Sequence, residues 1–188
     1  MTKIYELQPD IFANYVPSVA EELNEHIYFR GGVIISKPIP SPLIFTTRHS
    51  AEEPPSGLHG RVIPVMSNKL IKALQDAGVS NLQCFPAELR SSVDGSIWKN
   101  YQAINVIGLI ACADFESSEF THIIDRPENN TLPLTAFEDL KVNPKSTGGI
   151  LLFRLAESPG VILIAESVVE YLRSIQSDED WGITLDER

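Results

Sequence analysis

The sequence predicts an α+β fold, a mixed and mainly antiparallel sheet carrying two to four helices. Strand-length runs rich in Ile and Val predict the sheet, and two stretches with apolar residues at helical spacing predict the helices. Pro, Gly and Asn clusters separate these runs at intervals that suit turns.

Taken in order, Ile4 to Leu7 reads as a short edge strand and Ser18 to Asn24 as a short helix or turn. Gly31-Gly32 opens the apolar run Val33-Ile34-Ile35. In the segment that follows, Pro38, Pro40 and Pro42 deny the backbone the donors of a central strand, so Lys37 to Pro42 is a loop or an edge. Ser50 to Gly60, with Glu52-Glu53-Pro54-Pro55-Ser56-Gly57, reads as an exposed and mobile loop. Val62 to Met66 is β-prone. Ser67 is placed to cap a helix with Leu70, Ile71, Leu74 and Ala77 on one face, and Gly78 stops it. Leu82 to Phe85 returns as a strand. Ile97 to Ala113 forms a strand or a bent pair broken near Gly108, Phe120 to Ile124 follows, and Asp125 to Asn130 makes a turn.

Ile150 to Leu155 and Val161 to Ala165 flank Ser158-Pro159-Gly160, a hairpin signal. A second helix has Val168, Val169, Leu172 and Ile175 at the spacing of Leu70, Ile71, Leu74 and Ala77, 98 residues later. Trp181, Ile183 and Leu185 alternate like a closing strand. The match suggests a weak strand-helix-strand repeat whose helix stripes face a shared sheet, although the generic helical period also produces it.

A chain of 188 residues suits one domain over 1–188, with a Pro-rich portion 1–61 ahead of a more regular portion 62–188. Hydrophobic residues at 43% and charged residues at 21% argue against a disordered or fibrous chain. No run reaches the ~18 apolar residues of a membrane span, and the first nine residues lack a signal peptide's apolar centre. The expected location is therefore cytoplasmic, with no membrane partner. Cys84 and Cys112, 28 positions apart and outside any Cys-x-x-Cys motif, read as free core thiols. A net charge of −10 repels phosphate backbones and attracts basic surfaces, which argues against a nucleic-acid partner.

No spacing matches a serine elbow, a phosphate loop or a dinucleotide turn. Lys145-Ser146-Thr147-Gly148-Gly149 has a phosphate loop's residue types in the wrong order and reads as a turn. His26, His49, His59 and His122 lack metal-ligand spacing, and His49 and His59 could meet only if the intervening loop folded back. His122 and Asp125 fall on opposite faces of a strand. The expectation is no metal, no cofactor and no catalytic residue. Asn129-Asn130-Thr131 has a glycosylation acceptor's pattern but reads as a turn.

The carboxylates form three local clusters: Glu52 with Glu53, Asp114 with Glu116 and Glu119, and Asp178 with Glu179 and Asp180. Such clusters are ordinarily solvated, and they are also what a basic partner would dock on. These eight residues are the candidate partner-binding set. Trp98, Tyr101, Phe115 and Phe120 bracket Ala103 to Ala113 and read chiefly as core.

The segment Tyr101-Gln102-Ala103-Ile104-Asn105-Val106-Ile107-Gly108-Leu109-Ile110-Ala111-Cys112-Ala113-Asp114 and the distal Leu152-Phe153-Arg154-Leu155 resemble a bacterial immunity-protein family of polymorphic toxin systems, formerly a domain of unknown function. Val161 to Leu172, Val65-Met66-Ser67 and Asn81 to Pro86 fit as well. The resemblance runs from Val62 to the C-terminus, with Asn105, Asp114 and Arg154 as its polar punctuation. It implies a non-enzymatic cytosolic protein that binds a cognate toxin and blocks its active site or the entry to it. Toxins that attack nucleic acid are commonly basic, which would suit this acidic chain. Monomer and homodimer both remain open. So do two other classes: a hydrolase or transferase whose carboxylates and His59 or His122 converge only in the fold, and a self-associating scaffold.

Overall fold

The computed structural model describes residues 3–10, 18–19, 27–124 and 134–188. Expectations for His26, for 20–24, for Asp125 to Asn130 and for Asn129-Asn130-Thr131 lie outside them.

Two large sheets, a two-stranded ribbon, three α-helices and a short 3-10 helix make up the regular structure of the described residues. The five-stranded sheet has the order β13 (Ile183–Glu187), β1 (Ile4–Pro9), β12 (Ile162–Ala165), β11 (Leu152–Leu155) and β8 (Leu109–Ile110). The six-stranded sheet runs β2 (Ser18–Val19), β3 (Leu43–Thr47), β6 (Leu82–Ser91), β7 (Ile97–Val106), β5 (Val65–Ser67) and β4 (Leu58–His59). A ribbon of β9 (Glu119–Ile124) and β10 (Leu134–Asp139) stands apart from both. The pairing is antiparallel except for β11 with β8 and β3 with β6. An α+β fold with mainly antiparallel sheets is therefore what the chain adopts.

The helices are α1 (Asn68–Asp76), α2 (Glu166–Ile175) and the short α3 (Asp178–Trp181). Ser67 caps α1 as its sequence position requires: its side chain accepts a hydrogen bond from the Leu70 N–H at 3.2 Å, satisfying a donor the helix leaves open. Gly78, at φ 98°, takes the left-handed turn that ends the helix. Leu70, Ile71, Ala73 and Leu74 are buried. In α2 the stripe is Val168, Val169 and Leu172, whereas Ile175 is exposed beyond the last core-facing turn.

The suspected repeat is a repeat of topology. β5–α1–β6 and β12–α2–β13 each join two strands that flank a third, antiparallel one, β7 in the first case and β1 in the second. The sequence suggested that both helix stripes face one shared sheet, and in the structure they do not. They enter a common core with Leu7, Leu152, Ile162 and Ile164 from one sheet and Met66, Ile104 and Val106 from the other. Burying each such side chain contributes about 1.5–3 kcal/mol, so this core is the chief tie between the sheets.

Each sheet also has a second packed face. Phe153, Leu155 and Leu163 meet Cys112, Leu140 and Val142 on the outer side of one. Phe29, Phe45, Leu89 and Tyr101 fill the outer side of the other. Covered on both faces, β1 is central rather than an edge. Its position is set by pairing with strands from the far end of the chain, which its own residues cannot reveal.

Other expectations shift in detail. Ser18–Val19 pairs with β3 instead of starting a helix. Of the Val62 to Met66 run only Val65 and Met66, which follow Pro64, are in a strand, β5. Trp181 belongs to α3, and the closing strand starts two residues later. Ile97 to Ala113 does break at Gly108, at φ 122°, a conformation that favours glycine. Past that break the chain leaves one sheet and enters the other as β8. Asn81 pins the junction by donating from its side chain to the carbonyls of Ile107 and Leu152. Ser158-Pro159-Gly160 turns the β11–β12 hairpin, and Lys145 to Gly149 is a turn ahead of a strand, its first part within the 3-10 helix Pro144–Thr147.

Candidate functional site

The expected mobile loop from Ser50 to Gly60 is anchored. Its first residues are exposed, including Glu52 and Glu53, but Pro55, Gly57, Leu58 and His59 are buried. The Tyr101 hydroxyl donates to the carbonyls of Pro55, at 2.5 Å, and Ser56, at 2.9 Å. His49 and His59 do meet, their rings 5.3 Å apart and nearly perpendicular, and His59 lies 5.8 Å from the Tyr101 ring. One imidazole nitrogen of His49 faces the Glu53 carbonyl at 3.2 Å, and one of His59 faces Ser56 at 3.1 Å. Both histidines serve to hold the loop. Burial lowers the His49 pKa, partly offset by the Glu53 carbonyl. At the loop's outer end the Asp94 carboxylate accepts from the Ala51 and Ser96 amides, which hold it well below the usual carboxylate range.

The second acidic cluster sits on the turn between β8 and β9. Asp114 shapes this turn: its carboxylate accepts from the Glu116 amide at 3.1 Å, and its own amide donates to Lys141. Ser118 bonds the Lys141 backbone in both directions, fixing the turn to the chain leaving β10. Glu116 and Glu119 are exposed and Asp114 is partly so.

Between them stand Phe115 and Phe120, which the sequence suggested as core filling. They are 43% and 38% exposed. Their rings meet edge to face at 5.5 Å, and both lie against Phe137 of β10, at 5.8 and 6.2 Å. Phe115 lies on the turn ahead of β9 and Phe120 on the β9–β10 ribbon, which joins neither sheet, so both rings stay at the surface. The result is an aromatic surface flanked by three carboxylates. The sequence carried a signal for it in two phenylalanines interleaved with acids, a pattern that suits a surface better than a core. Tyr101 is core, as expected, and Trp98 packs at the core's margin.

The third cluster lies on α3. Ser177 caps this helix by accepting from the Asp180 amide at 3.1 Å. Asp178 pairs with Arg173 at 2.6 Å, while Glu179 and Asp180 face solvent. The three clusters occupy three separate elements, and no hydrogen bond or ion pair links one to another among the described residues.

A cleft of about 290 Å³ opens beside β1 and β10, lined by Glu6, Gln8, Arg61, Phe137, Glu138 and Arg188 among others. Its main polar groups are already paired, Arg188 with Glu6 at 2.7 Å and Arg61 with Gln8. The strongly shifted ionisable groups lie elsewhere. Burial pushes the Tyr101 phenol and the Cys112 thiol up, the latter to about 12, and pushes the fully buried Arg154 down to about 10. Both cysteines are free thiols, Cys112 buried and Cys84 half-buried. Among the described residues no three His, Cys, Asp or Glu side chains gather as metal ligands. No helix among them is long and apolar enough to cross a membrane.

The sequence profile of the immunity protein family Imm11 matches residues 17–187. The chain belongs to that family. The Imm11 match reaches back well before Val62, so most of the Pro-rich first third falls within the family's pattern too. That extension fits the fold: β3 pairs with β6 and β4 with β5 in one sheet, so strands from before and after Val62 lie side by side. A toxin-immunity role follows from the Imm11 assignment at the level of the family. No curated protein matches the chain.

Proposed function

We propose that this chain binds a cognate toxin domain in the bacterial cytosol and neutralises it without catalysis, covering the toxin's active site or the entry to it. Membership of the immunity family over nearly the whole chain carries this reading. The contact is centred on Phe115 and Phe120, with Asp114, Glu116 and Glu119 around them. Exposed aromatic rings are favoured interface anchors, and acids beside them select a basic partner. Glu52, Glu53, Asp178, Glu179 and Asp180 contribute charge to the field that steers association, in keeping with the net charge of −10. The paired state of the polar groups in the cleft beside β1 supports a non-catalytic role.

The test pairs the chain with the toxin domain encoded beside its gene. The chain should co-purify with the toxin and restore growth of cells expressing it. Replacing Phe115 and Phe120 together by Ala should weaken the complex by about 2 kcal/mol or more, mainly through faster dissociation. Replacing Asp114 by Asn and Glu116 and Glu119 by Gln should slow association and flatten its dependence on ionic strength. Growth that stays arrested with the unaltered chain present refutes the immunity reading. Full affinity in both variants moves the contact to another surface.

A further inference from the structure

Arg154 is 0% exposed, in the middle of β11, with its backbone paired to Ile162 on one side and Leu109 on the other. Its Nη1 donates to the Pro159 carbonyl at 2.7 Å. Its Nε and Nη2 have no partner. Those two N–H groups form the side-on edge of a guanidinium, which matches the paired oxygens of a carboxylate or phosphate.

Elsewhere the molecule uses that same edge for that purpose. Arg173 turns Nε and Nη2 to Asp178 at 3.1 and 2.6 Å. Arg188 turns them to Glu6 at 3.0 and 2.7 Å, and Arg90 to Glu88 at 3.3 and 2.9 Å. Each of these three sits nearer the surface and has its carboxylate. The most buried arginine offers the same edge to nothing.

A second cation stands close by. The Arg30 Nε is also buried and without a partner, and its guanidinium lies 5.4 Å from the Tyr28 ring. One terminal nitrogen of Arg30 comes 4.0 Å from where a side chain on Gly160 would begin, next to the Pro159 that Arg154 holds. Burial disfavours the Arg154 charge, Arg30 adds repulsion to it, and Tyr28 opposes them. Two like charges held together, with three donors unmet, form an arrangement that burial alone penalises heavily. An anion relieves both the repulsion and the unmet donors.

The geometry points to an oxyanion-binding site at Arg154 and Arg30, which takes a small ligand through a carboxylate or phosphate group. Its oxygens are received by Nε and Nη2 of Arg154 and by Nε of Arg30. Exposure falls from Tyr28 through Arg30 to Arg154, so entry is from the Tyr28 side. Gly31 and Gly32, the latter at φ 67°, adjoin this covering segment. The site is separate from the aromatic surface at Phe115 and Phe120 and stands whether or not that surface binds a toxin.

The test titrates the full chain with sodium phosphate and with sodium acetate, each against sodium chloride at equal ionic strength. The readouts are the ¹⁵N-labelled arginine Nε–H resonances and the thermal midpoint. At least one oxyanion should shift the Arg154 and Arg30 signals saturably and raise the midpoint, and the stronger of the two identifies the preferred group. R30Q should weaken that binding tenfold or more, and R154M should abolish it. If R154M does not fold, R30Q and the resonance shifts decide. The proposal is overturned if neither anion gives a saturable shift beyond chloride. It is equally overturned if stabilisation persists unchanged in R30Q while the Arg154 signal stays still, since the ion then binds elsewhere.

Discussion

Replacing Tyr101 by Phe removes a single oxygen and tests whether one hydroxyl anchors the loop from Ser50 to Gly60. That oxygen reaches two carbonyls, Pro55 at 2.5 Å and Ser56 at 2.9 Å. Ser56 keeps His59 at 3.1 Å and is partly open to solvent, so its loss is small. Pro55 is buried and would be left without that donor. Orphaning one buried acceptor costs about 1–3 kcal/mol, and relaxation of the exposed end of the loop places this case near 1–2 kcal/mol. Burial raises the Tyr101 pKa, so the phenol remains a donor throughout the neutral range and the cost should not vary between pH 7 and 9. Urea unfolding measures it, as a lower midpoint at constant slope, and the thermal midpoint should fall by about 3–6 °C. Trypsin supplies a local readout, because Arg48 and Arg61 flank the loop and are exposed. Cleavage there should accelerate. A variant within about 0.3 kcal/mol of the parent, with unchanged cleavage, would show that the histidines and the buried leucine hold the loop alone.

Gly57→Ala should destabilise by about 3 kcal/mol or more, because a Cβ there would fall inside the Trp181 carbonyl oxygen, a backbone atom that cannot turn aside; soluble yield and the urea midpoint check this. Acid should weaken the fold through His49. Its folded pKa is depressed, so the unfolded chain takes the proton first; the contribution is complete above about pH 6.5 and declines as the pH falls through and below that value. H49F should flatten the stability profile between pH 7 and 5.5, and an unchanged slope would assign the loss to another group. In the native protein Cys112 should resist a thiol reagent at pH 8, with Cys84 reacting slowly and both reacting fully in urea, because burial raises both thiols. Fast native labelling at Cys112 would contradict its packing against Phe153 and Leu163.

Much of the fold could be read locally. The Ser67 cap, the Leu70-Ile71-Leu74 stripe, the break at Gly108 and the Ser158-Pro159-Gly160 hairpin each depend on residues within a few positions of one another, and each is present. The family, too, was recognisable from the apolar strands and their polar punctuation, though from Val62 onward and not from residue 17. What lay beyond reach was whatever long-range pairing decides. Ile4 to Leu7 has the composition of an edge strand and became central because strands from the other end of the chain close on both its sides. His49 and His59 meet across a loop whose closure depends on Tyr101 from β7. Phe115 and Phe120 have core chemistry but surface places, because the turn and the ribbon strand that carry them lie outside both sheets.

Arg154 shows the division most sharply. Its sequence neighbours mark it as a charged residue within an apolar strand, and nothing in that pattern says whether a carboxylate waits opposite. Periodicity, caps and turn residues act along the chain, so the sequence by itself determined the elements, the acidic surface and the family. Burial, the company each side chain keeps and the unmet edge of Arg154 depend on which distant strands lie side by side, and only the tertiary structure decided those.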